Sequence, residues 1–291
     1  MNLEHLFDAI GPLITPDDVD DLRAVLDGFA GMLNDDLPSV GAFHPAVPYR
    51  EVDGPTLTLD VFVPSGSGPF PVLVYLHGGA WVWGSPATHR KLTCRLAEQG
   101  FVVMSVDYRL APEHPFPAGF NDCTHAVHFA VREAARFGGD AQRLVLAGDS
   151  AGANLAAAIA VHLADGSAGA PVRAVGLLYG VYDFSGLESG VVTRMLVDAY
   201  LGNAPGLVQD PRVSPIVKAG VLPPAHIAVG SADPLIEDAE ALRAKLARRG
   251  KVHDYRVYED MPHAFMQMEF FDEAQRAIRA MTDFLHETVD G

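Results

Sequence analysis

A serine enclosed by two glycines carries the clearest chemical signal in this sequence. The segment GDSAG at 148–152 follows the apolar run RLVLA and precedes an alanine-rich stretch of helical character. A sharp turn from a strand into a helix needs small residues, and it lifts the serine hydroxyl above the end of the strand. The pattern predicts a nucleophile, Ser150, at a helix N-terminus, where the helix dipole favours negative charge. A glycine-rich turn with Ser150 as a helix N-cap is the simpler alternative.

A second glycine pair follows another apolar run and predicts a site for a negatively charged oxygen. The run FPVLVYL at 70–76 leads directly into HGGA at 77–80. Backbone N–H groups of consecutive glycines can approach a substrate closely because no side chain intervenes. Attack by a serine creates an oxyanion, and its donors must already point at it. We expect Gly78, Gly79 and the residue after the nucleophile, Ala151, to supply these N–H groups.

The base that would activate the serine is expected further along the chain. Where a nucleophilic serine lies between a strand and a helix, the partners follow in the order serine, acid, histidine. His263 lies in a loop between the last strand pattern and the last helical pattern, and sites of such sheets form at the carboxyl ends of the strands. Three further histidines after the serine start a strand or lie near the chain end: His226, His253 and His286.

The acid that orients the histidine has three candidates. Asp233 follows the strand pattern AHIAVG and precedes Pro234 and a helical pattern, which places it at the carboxyl end of a strand. Asp260 lies shortly before His263, and Asp183 follows the strand pattern AVGLLYG. Asp233 is the preferred acid, and the other two remain open.

The composition argues against several other kinds of site. With 37 acidic and 21 basic side chains the net charge is −16, which repels phosphate backbones, so we expect no nucleic-acid partner. Only two cysteines are present, Cys94 and Cys123, and no metal or organic cofactor is expected. No apolar stretch reaches the ~18 residues of a membrane span. Without a secretory signal pattern at the N-terminus, we expect a cytoplasmic protein.

The elements that must position these residues alternate between strand and helix from Val47 onward. Apolar strand patterns separated by helical patterns predict a mostly parallel eight-stranded sheet flanked by helices, preceded by a hairpin that makes the sheet mixed. Two regions break the alternation. Residues 1–45 carry two helical patterns, and residues 184–213 form a Gly- and Pro-rich insertion with one helical pattern. We expect both to form a helical cap over a core of residues 46–183 and 214–291.

Five segments together resemble the hormone-sensitive-lipase-like esterases, the bacterial family IV, from about Tyr49 to the C-terminus. They are HGGAWVWGS at 77–85, DYRLAPEHPFPA at 107–118, GDSAG at 148–152, SADPL at 231–235 and PHAF at 262–265. The resemblance implies an α/β-hydrolase fold, a catalytic set of Ser150, Asp233 and His263, and a cap built from N-terminal helices and an insertion. The sequence departs from the family at Ala80, where a third glycine is usual, and at Ala264.

The expected activity is that of a serine carboxylesterase acting on short- to medium-chain acyl esters through an acyl-enzyme. An amidase or deacetylase on the same residues, or a small-ligand receptor without turnover, remain alternatives. Trp81 and Trp83 either pack or narrow the pocket, and Arg109 and Glu113 are expected to pair and hold their loop. The last strand pattern, His253–Tyr258, is expected at a sheet edge, where a homodimer could form.

Overall fold

The computed structural model describes residues 19–164, 167, 171–189, 191–202 and 204–291. The first predicted helical pattern, LEHLFDAI, lies outside the described residues. The second forms helix α1, Val19–Leu33.

A single mixed sheet of eight strands forms the centre of the described structure. Its strands are β1 Ala42–Glu51, β2 Thr56–Val63, β3 Phe70–Leu76, β4 Val102–Val106, β5 Gly139–Asp149, β6 Val172–Leu178, β7 Ala225–Gly230 and β8 His253–Tyr258. Their spatial order is β1-β2-β4-β3-β5-β6-β7-β8. β2 pairs antiparallel with β1 and β4, and the remaining neighbours are parallel. The predicted fold class is confirmed.

Helices cover both faces of this sheet. Besides α1 they are α2 Arg90–Glu98, α3 Ala118–Glu133, α4 Ala151–His162, α5 Val191–Leu201, α6 Ile236–Arg248 and α7 Asp272–Asp290. Strands β4 and β7 are buried at every residue, as expected of continuous apolar runs covered on both sides. Because strands β3 to β8 run parallel, their carboxyl ends lie at the same edge of the sheet. The loops after β3, β5, β7 and β8 come together at this edge.

The first strand is longer than its sequence pattern indicates. The first strand of the predicted hairpin spans Tyr49–Asp53, whereas β1 begins at Ala42, inside the segment assigned to the cap. Pro45 and Pro48 lack the N–H that a ladder uses, which argues against a strand in the interior of a sheet. β1 lies at the edge and its pairing with β2 shifts register around Pro48, so it tolerates both prolines. The division into cap and core stays a prediction.

The other edge of the sheet is formed by β8. Strand β8 pairs only with β7 among the described residues, and its Val257 is 43% exposed. An unpaired edge can add a further strand, so a homodimer through β8 stays a prediction. No helix among the described residues is long and apolar enough to cross a membrane.

Candidate active site

Ser150 lies at the turn between β5 and α4, in a backbone conformation that residues other than glycine seldom adopt. Its φ is 52°. Two close contacts impose the turn: a Cβ on Gly152 would lie 1.9 Å from the carbonyl oxygen of Leu76, and one on Gly148 would lie 2.5 Å from Gly152. The small residues on either side are therefore required for the chain to pass β3. The Ser150 N–H donates to the Leu178 carbonyl at 2.8 Å, which fixes the turn further.

His263 reaches Ser150 from the loop after β8. Its Nε2 lies 3.0 Å from the Ser150 Oγ, within hydrogen-bond distance of a hydroxyl that can donate to it. The ring of Tyr179 packs edge-on against the imidazole at 5.1 Å between centroids. A serine and a histidine in this contact have the geometry of a nucleophile and its general base.

Asp233 holds the other nitrogen of the imidazole. Its Oδ2 lies 2.9 Å from His263 Nδ1, and its Oδ1 accepts the N–H of Leu235 at 2.8 Å. The carboxylate is only 2% exposed. Burial acts to lower the pKa of His263, but the charge and hydrogen bond of Asp233 outweigh it and raise that pKa above its ordinary value. The imidazolium that forms during proton transfer is therefore stabilised.

The alternative candidates lie elsewhere or are engaged in other contacts. Asp260 is exposed, and the Asp183 carboxylate accepts from the N–H and hydroxyl of Ser185. The three alternative histidines contact the following groups: His226 the carboxylate of Asp254, His253 the Lys251 carbonyl and His286 the Gln99 carbonyl.

The glycine loop after β3 requires one correction to the predicted donors. The Gly78 N–H donates to Oδ1 of Asp149 at 2.8 Å, so it cannot serve an oxyanion. The carbonyl of Gly79 accepts from Val82 and Trp83, which folds the loop back on itself. Within the described residues, the N–H groups of Gly79 and Ala80 have no acceptor, and neither does that of Ala151 at the start of α4.

Ala80 is the residue that the sequence reasoning missed. It has a φ of 51°, and Gly79 before it a φ of 114°. A Cβ on Gly79 would lie 2.1 Å from the Trp83 carbonyl oxygen, so only glycine fits there. The family's usual third glycine at position 80 was the available signal, because a glycine there indicates that the backbone takes a left-handed turn.

Asp149, the residue before the nucleophile, is a second group that the sequence reasoning passed over. It is 1% exposed, and its Oδ1 also accepts the Tyr75 hydroxyl at 2.6 Å. Burial acts to raise its pKa, but His89 and the hydrogen bonds from Tyr75 and Gly78 lower it to about 2. The side chain is therefore a buried carboxylate that joins the nucleophile turn to the glycine loop.

The predicted pair between Arg109 and Glu113 is wrong. Arg109 binds the fully buried Asp122, with Nε to Oδ2 at 2.8 Å. Glu113 instead pairs with Arg23 of α1, at 2.6 Å and 2.8 Å. Arg109 pairs with Asp122 in place of Glu113 because Asp122 has no contact with water and needs a charged partner inside the fold.

The two tryptophans at the end of the glycine loop, residues 77–83, contact the elements predicted to form the cap. Trp81 is buried and stacks on Tyr200 of α5 at 4.5 Å between ring centroids. Trp83 donates its Nε1–H to the Asp27 carboxylate of α1 at 2.7 Å. Arg23 of α1 also donates to the carbonyls of Val82 and Ala111. The glycine loop is thus in contact with both α1 and α5.

Comparison with known proteins agrees with this fold. The family model of the alpha/beta hydrolase fold matches residues 73–267 of the 291-residue chain. The protein belongs to this family, and its resemblance to the hormone-sensitive-lipase-like esterases is confirmed.

Several relatives are ester hydrolases by name. Carboxylic ester hydrolase LipN of Mycobacterium tuberculosis is 35% identical over 226 residues, which are 70% of this chain and 60% of LipN. The match thus spans less than two thirds of LipN. Ethyl acetate hydrolase of Pseudomonas putida is 32% identical over 253 residues, 81% of this chain and 80% of the relative. Among solved structures, the hyperthermophilic esterase of the archaeon Pyrobaculum calidifontis has a TM-score of 0.85 and 28% identity, covering 98% of both chains.

Proposed function

We propose that this protein is a serine carboxylesterase that hydrolyses short- to medium-chain acyl esters through an acyl-enzyme. The observation that carries the proposal is the hydrogen-bonded series from Ser150 Oγ to His263 Nε2, at 3.0 Å, and from His263 Nδ1 to Asp233 Oδ2, at 2.9 Å. The names of the relatives support the reaction class. A serine, a histidine and an aspartate can carry out this chemistry without a metal ion.

In the first half of the reaction Ser150 Oγ attacks the carbonyl carbon of the ester. His263 Nε2 accepts the hydroxyl proton, and the carbonyl oxygen becomes an oxyanion. The unpaired N–H groups of Gly79, Ala80 and Ala151 are the proposed donors to it. When the tetrahedral intermediate collapses, the bond to the alkoxy group breaks, and His263 returns its proton to the leaving alcohol.

In the second half a water molecule takes the place of the alcohol. His263 accepts a proton from the water as its oxygen attacks the acyl carbon, and the same donors hold the oxyanion again. Collapse then breaks the bond to Ser150, which recovers its proton from His263 and releases the carboxylic acid. Asp233 keeps the imidazole oriented and stabilises its charged form in both halves.

Hydrolysis of p-nitrophenyl esters from acetate to palmitate tests the proposal. We expect turnover that is fastest with the short and medium chains and that is lost in Ser150→Ala. Ser65→Ala is the matched control, because Ser65 is exposed in the loop between β2 and β3. A folded protein without turnover of any ester would contradict the proposal, and turnover of p-nitroacetanilide at a comparable rate would favour an amidase.

A further inference from the structure

We propose that Gln267 is a positioning residue for the general base, because its amide ties the loop that carries His263 to the buried carboxylate beside the nucleophile. This inference rests on the proposed roles of Ser150 and His263. It assigns to Gln267 no contact with the reacting atoms.

Gln267 ends the short 3-10 turn that follows the base. The turn spans Phe265–Gln267, and its first two residues are fully buried. The Gln267 Nε2 lies 3.0 Å from Oδ2 of Asp149 and 2.9 Å from Nε2 of His89. An amide nitrogen donates and does not accept, so it supplies the hydrogen of the bond to the Asp149 carboxylate.

The second of these contacts involves His89, which is 1% exposed. The same Nε2 of His89 lies 3.4 Å from Oδ2 of Asp149, so Gln267, His89 and Asp149 form one cluster. The Nδ1 of His89 lies 2.8 Å from Oγ1 of Thr88, and Oγ1 donates to the Ser85 carbonyl at 2.9 Å. These contacts hold both His89 and the Gln267 amide in place.

Asp149 connects this amide to the rest of the site. Its Oδ1 accepts from Tyr75 and from the Gly78 N–H of the glycine loop, while its Oδ2 accepts from Gln267. The next residue is Ser150. One buried carboxylate therefore joins the nucleophile turn, the glycine loop and the loop of the base, and Gln267 makes the third of these connections.

A second connection of the same loop leads away from the nucleophile. Two residues after Gln267, the Glu269 carboxylate pairs with Arg95 at 2.8 Å and with Lys91 at 3.6 Å, both on α2. These contacts hold the loop to a helix and do not reach Asp149 or Ser150. Glu269 is therefore the matched position that separates general loosening of the loop from loss of the contact with Asp149.

The expected consequence is a change in kcat at nearly constant KM. Without the Gln267 contact, the His263 loop can shift relative to Ser150, and displacements of about 1 Å in such a contact can lower rates up to about 100-fold. We expect Gln267→Met, which keeps the length but not the donor, to lower kcat about 10-fold. Glu269→Gln is expected to stay within about twofold of wild type, as partly exposed ion pairs contribute little.

Gln267→Glu gives a readout that a packing role would not produce. The substitution keeps the shape of the side chain, but the ionised carboxylate cannot donate and lies against Asp149. We expect it to be more damaging than Gln267→Met at pH 8, and its kcat relative to wild type to rise as the pH is lowered and the new carboxyl is protonated. A constant ratio across pH 5.5–8 would contradict a donor role.

The experiment is kinetic analysis of wild type, the Gln267 variants, Glu269→Gln and Ser150→Ala on one p-nitrophenyl ester, with the His263 Nδ1–H resonance followed by NMR. If Ser150→Ala is inactive and Gln267→Met has wild-type kcat, or loses no more than Glu269→Gln, the positioning role is overturned and the proposed function stands. If Ser150→Ala keeps its activity, the proposed function fails instead. The NMR signal then decides the positioning role, which predicts that it changes in Gln267→Met and not in Glu269→Gln.

Discussion

Two sets of contacts hold the glycine loop, and they differ in their exposure to solvent. One set lies at the carboxyl edge of the sheet, and the other is made by α1. At the sheet edge, the loop is fixed by Asp149, a carboxylate that is 1% exposed and hydrogen-bonded on both oxygens. On the side of α1, the loop is held by Arg23 and Asp27. Arg23 also pairs with Glu113, whose side chain is 53% exposed. Hydrogen bonds to buried charges contribute about 1.5–3 kcal/mol, whereas exposed ion pairs contribute about 0.2–1 kcal/mol.

This difference separates two tasks. The buried contacts position the groups that would carry out the chemistry, so their loss should reduce kcat. The contacts with α1 and α5 come from the elements predicted to form the cap, so we expect their loss mainly to affect KM and the choice of acyl chain.

Asp233→Asn is expected to give the largest effect on the buried side. The amide keeps the shape but favours the wrong tautomer of His263, and kcat should fall by about 10³–10⁴. Because Asp233 raises the pKa of His263, the acid limb of kcat/KM in any residual activity should move to lower pH. A pH–rate series on wild type and variant measures both changes, and an unmoved acid limb would contradict the assignment of Asp233.

Asp149→Asn tests whether the buried connection matters as much as the catalytic groups. One acceptor oxygen becomes a donor that faces either Gln267 or the Tyr75 hydroxyl, and we expect kcat to fall about 100-fold. Tyr75→Phe is the milder comparison, because it removes one donor and leaves the carboxylate intact.

Asp149→Asn should also change how the stability of the folded protein depends on pH. The folded pKa of Asp149 is about 2, below its ordinary value of 3.8, so the carboxylate stabilises the folded state fully above pH 4. This contribution, about 2 kcal/mol, is lost as the pH falls from 4 to 2. Thermal unfolding of wild type and Asp149→Asn should therefore differ at pH 7 and converge toward pH 2, and a constant difference would contradict the assignment.

Arg23→Met tests the contact between α1 and the glycine loop. It removes the pair with Glu113 and leaves the carbonyls of Val82 and Ala111 without a donor. We expect KM for medium-chain esters to rise about 5-fold and kcat to change by less than about 3-fold, since exposed ion pairs are weak. Arg132→Met, which removes a similarly short pair on the surface of α3, is the control. A loss in kcat as large as that of Asp149→Asn would break the division between the two sides.

Asp238→Asn is expected to give the smallest effect, on stability alone. The Asp238 carboxylate of α6 accepts the N–H groups of Tyr182 and Asp183, where the chain leaves β6 toward the insertion. Burial raises its pKa to about 7 from 3.8. The folded protein therefore loses stability as the pH rises from 4 to 7, and this loss is complete above 7.

An asparagine keeps an acceptor without the buried charge. The melting temperature should rise by about 2–4 °C at pH 8 and by less at pH 5, with unchanged kcat. Calorimetry at the two values of pH measures this, and an equal shift at both would show that charge is not the cause.

Much of this architecture is readable from the sequence because apolar runs and turns are local signals. The patterns give β3, β7 and β8 with the bounds that the structure has. Ser150, Asp233 and His263 could be proposed together because each follows a strand at its carboxyl end, and parallel strands bring those ends to one edge.

What could not be read depends on contacts between distant segments. No local pattern distinguishes a free glycine N–H from one that donates to a carboxylate 71 residues away, as Gly78 does to Asp149. The partner of Glu113 is likewise 90 residues away on α1, whereas the wrong partner, Arg109, was its near neighbour in sequence. Gln267 carried no signal at all, because its importance arises from Asp149 and His89.

Covalent labelling tests the central claim most directly. Diethyl p-nitrophenyl phosphate transfers a diethylphosphoryl group to an activated serine, and mass spectrometry of the digested protein identifies the labelled peptide. We predict one adduct per chain, on Ser150, formed with loss of activity, absent in Ser150→Ala and much slower in Asp233→Asn. An active enzyme that stays unlabelled, or a label on another serine, would contradict the account.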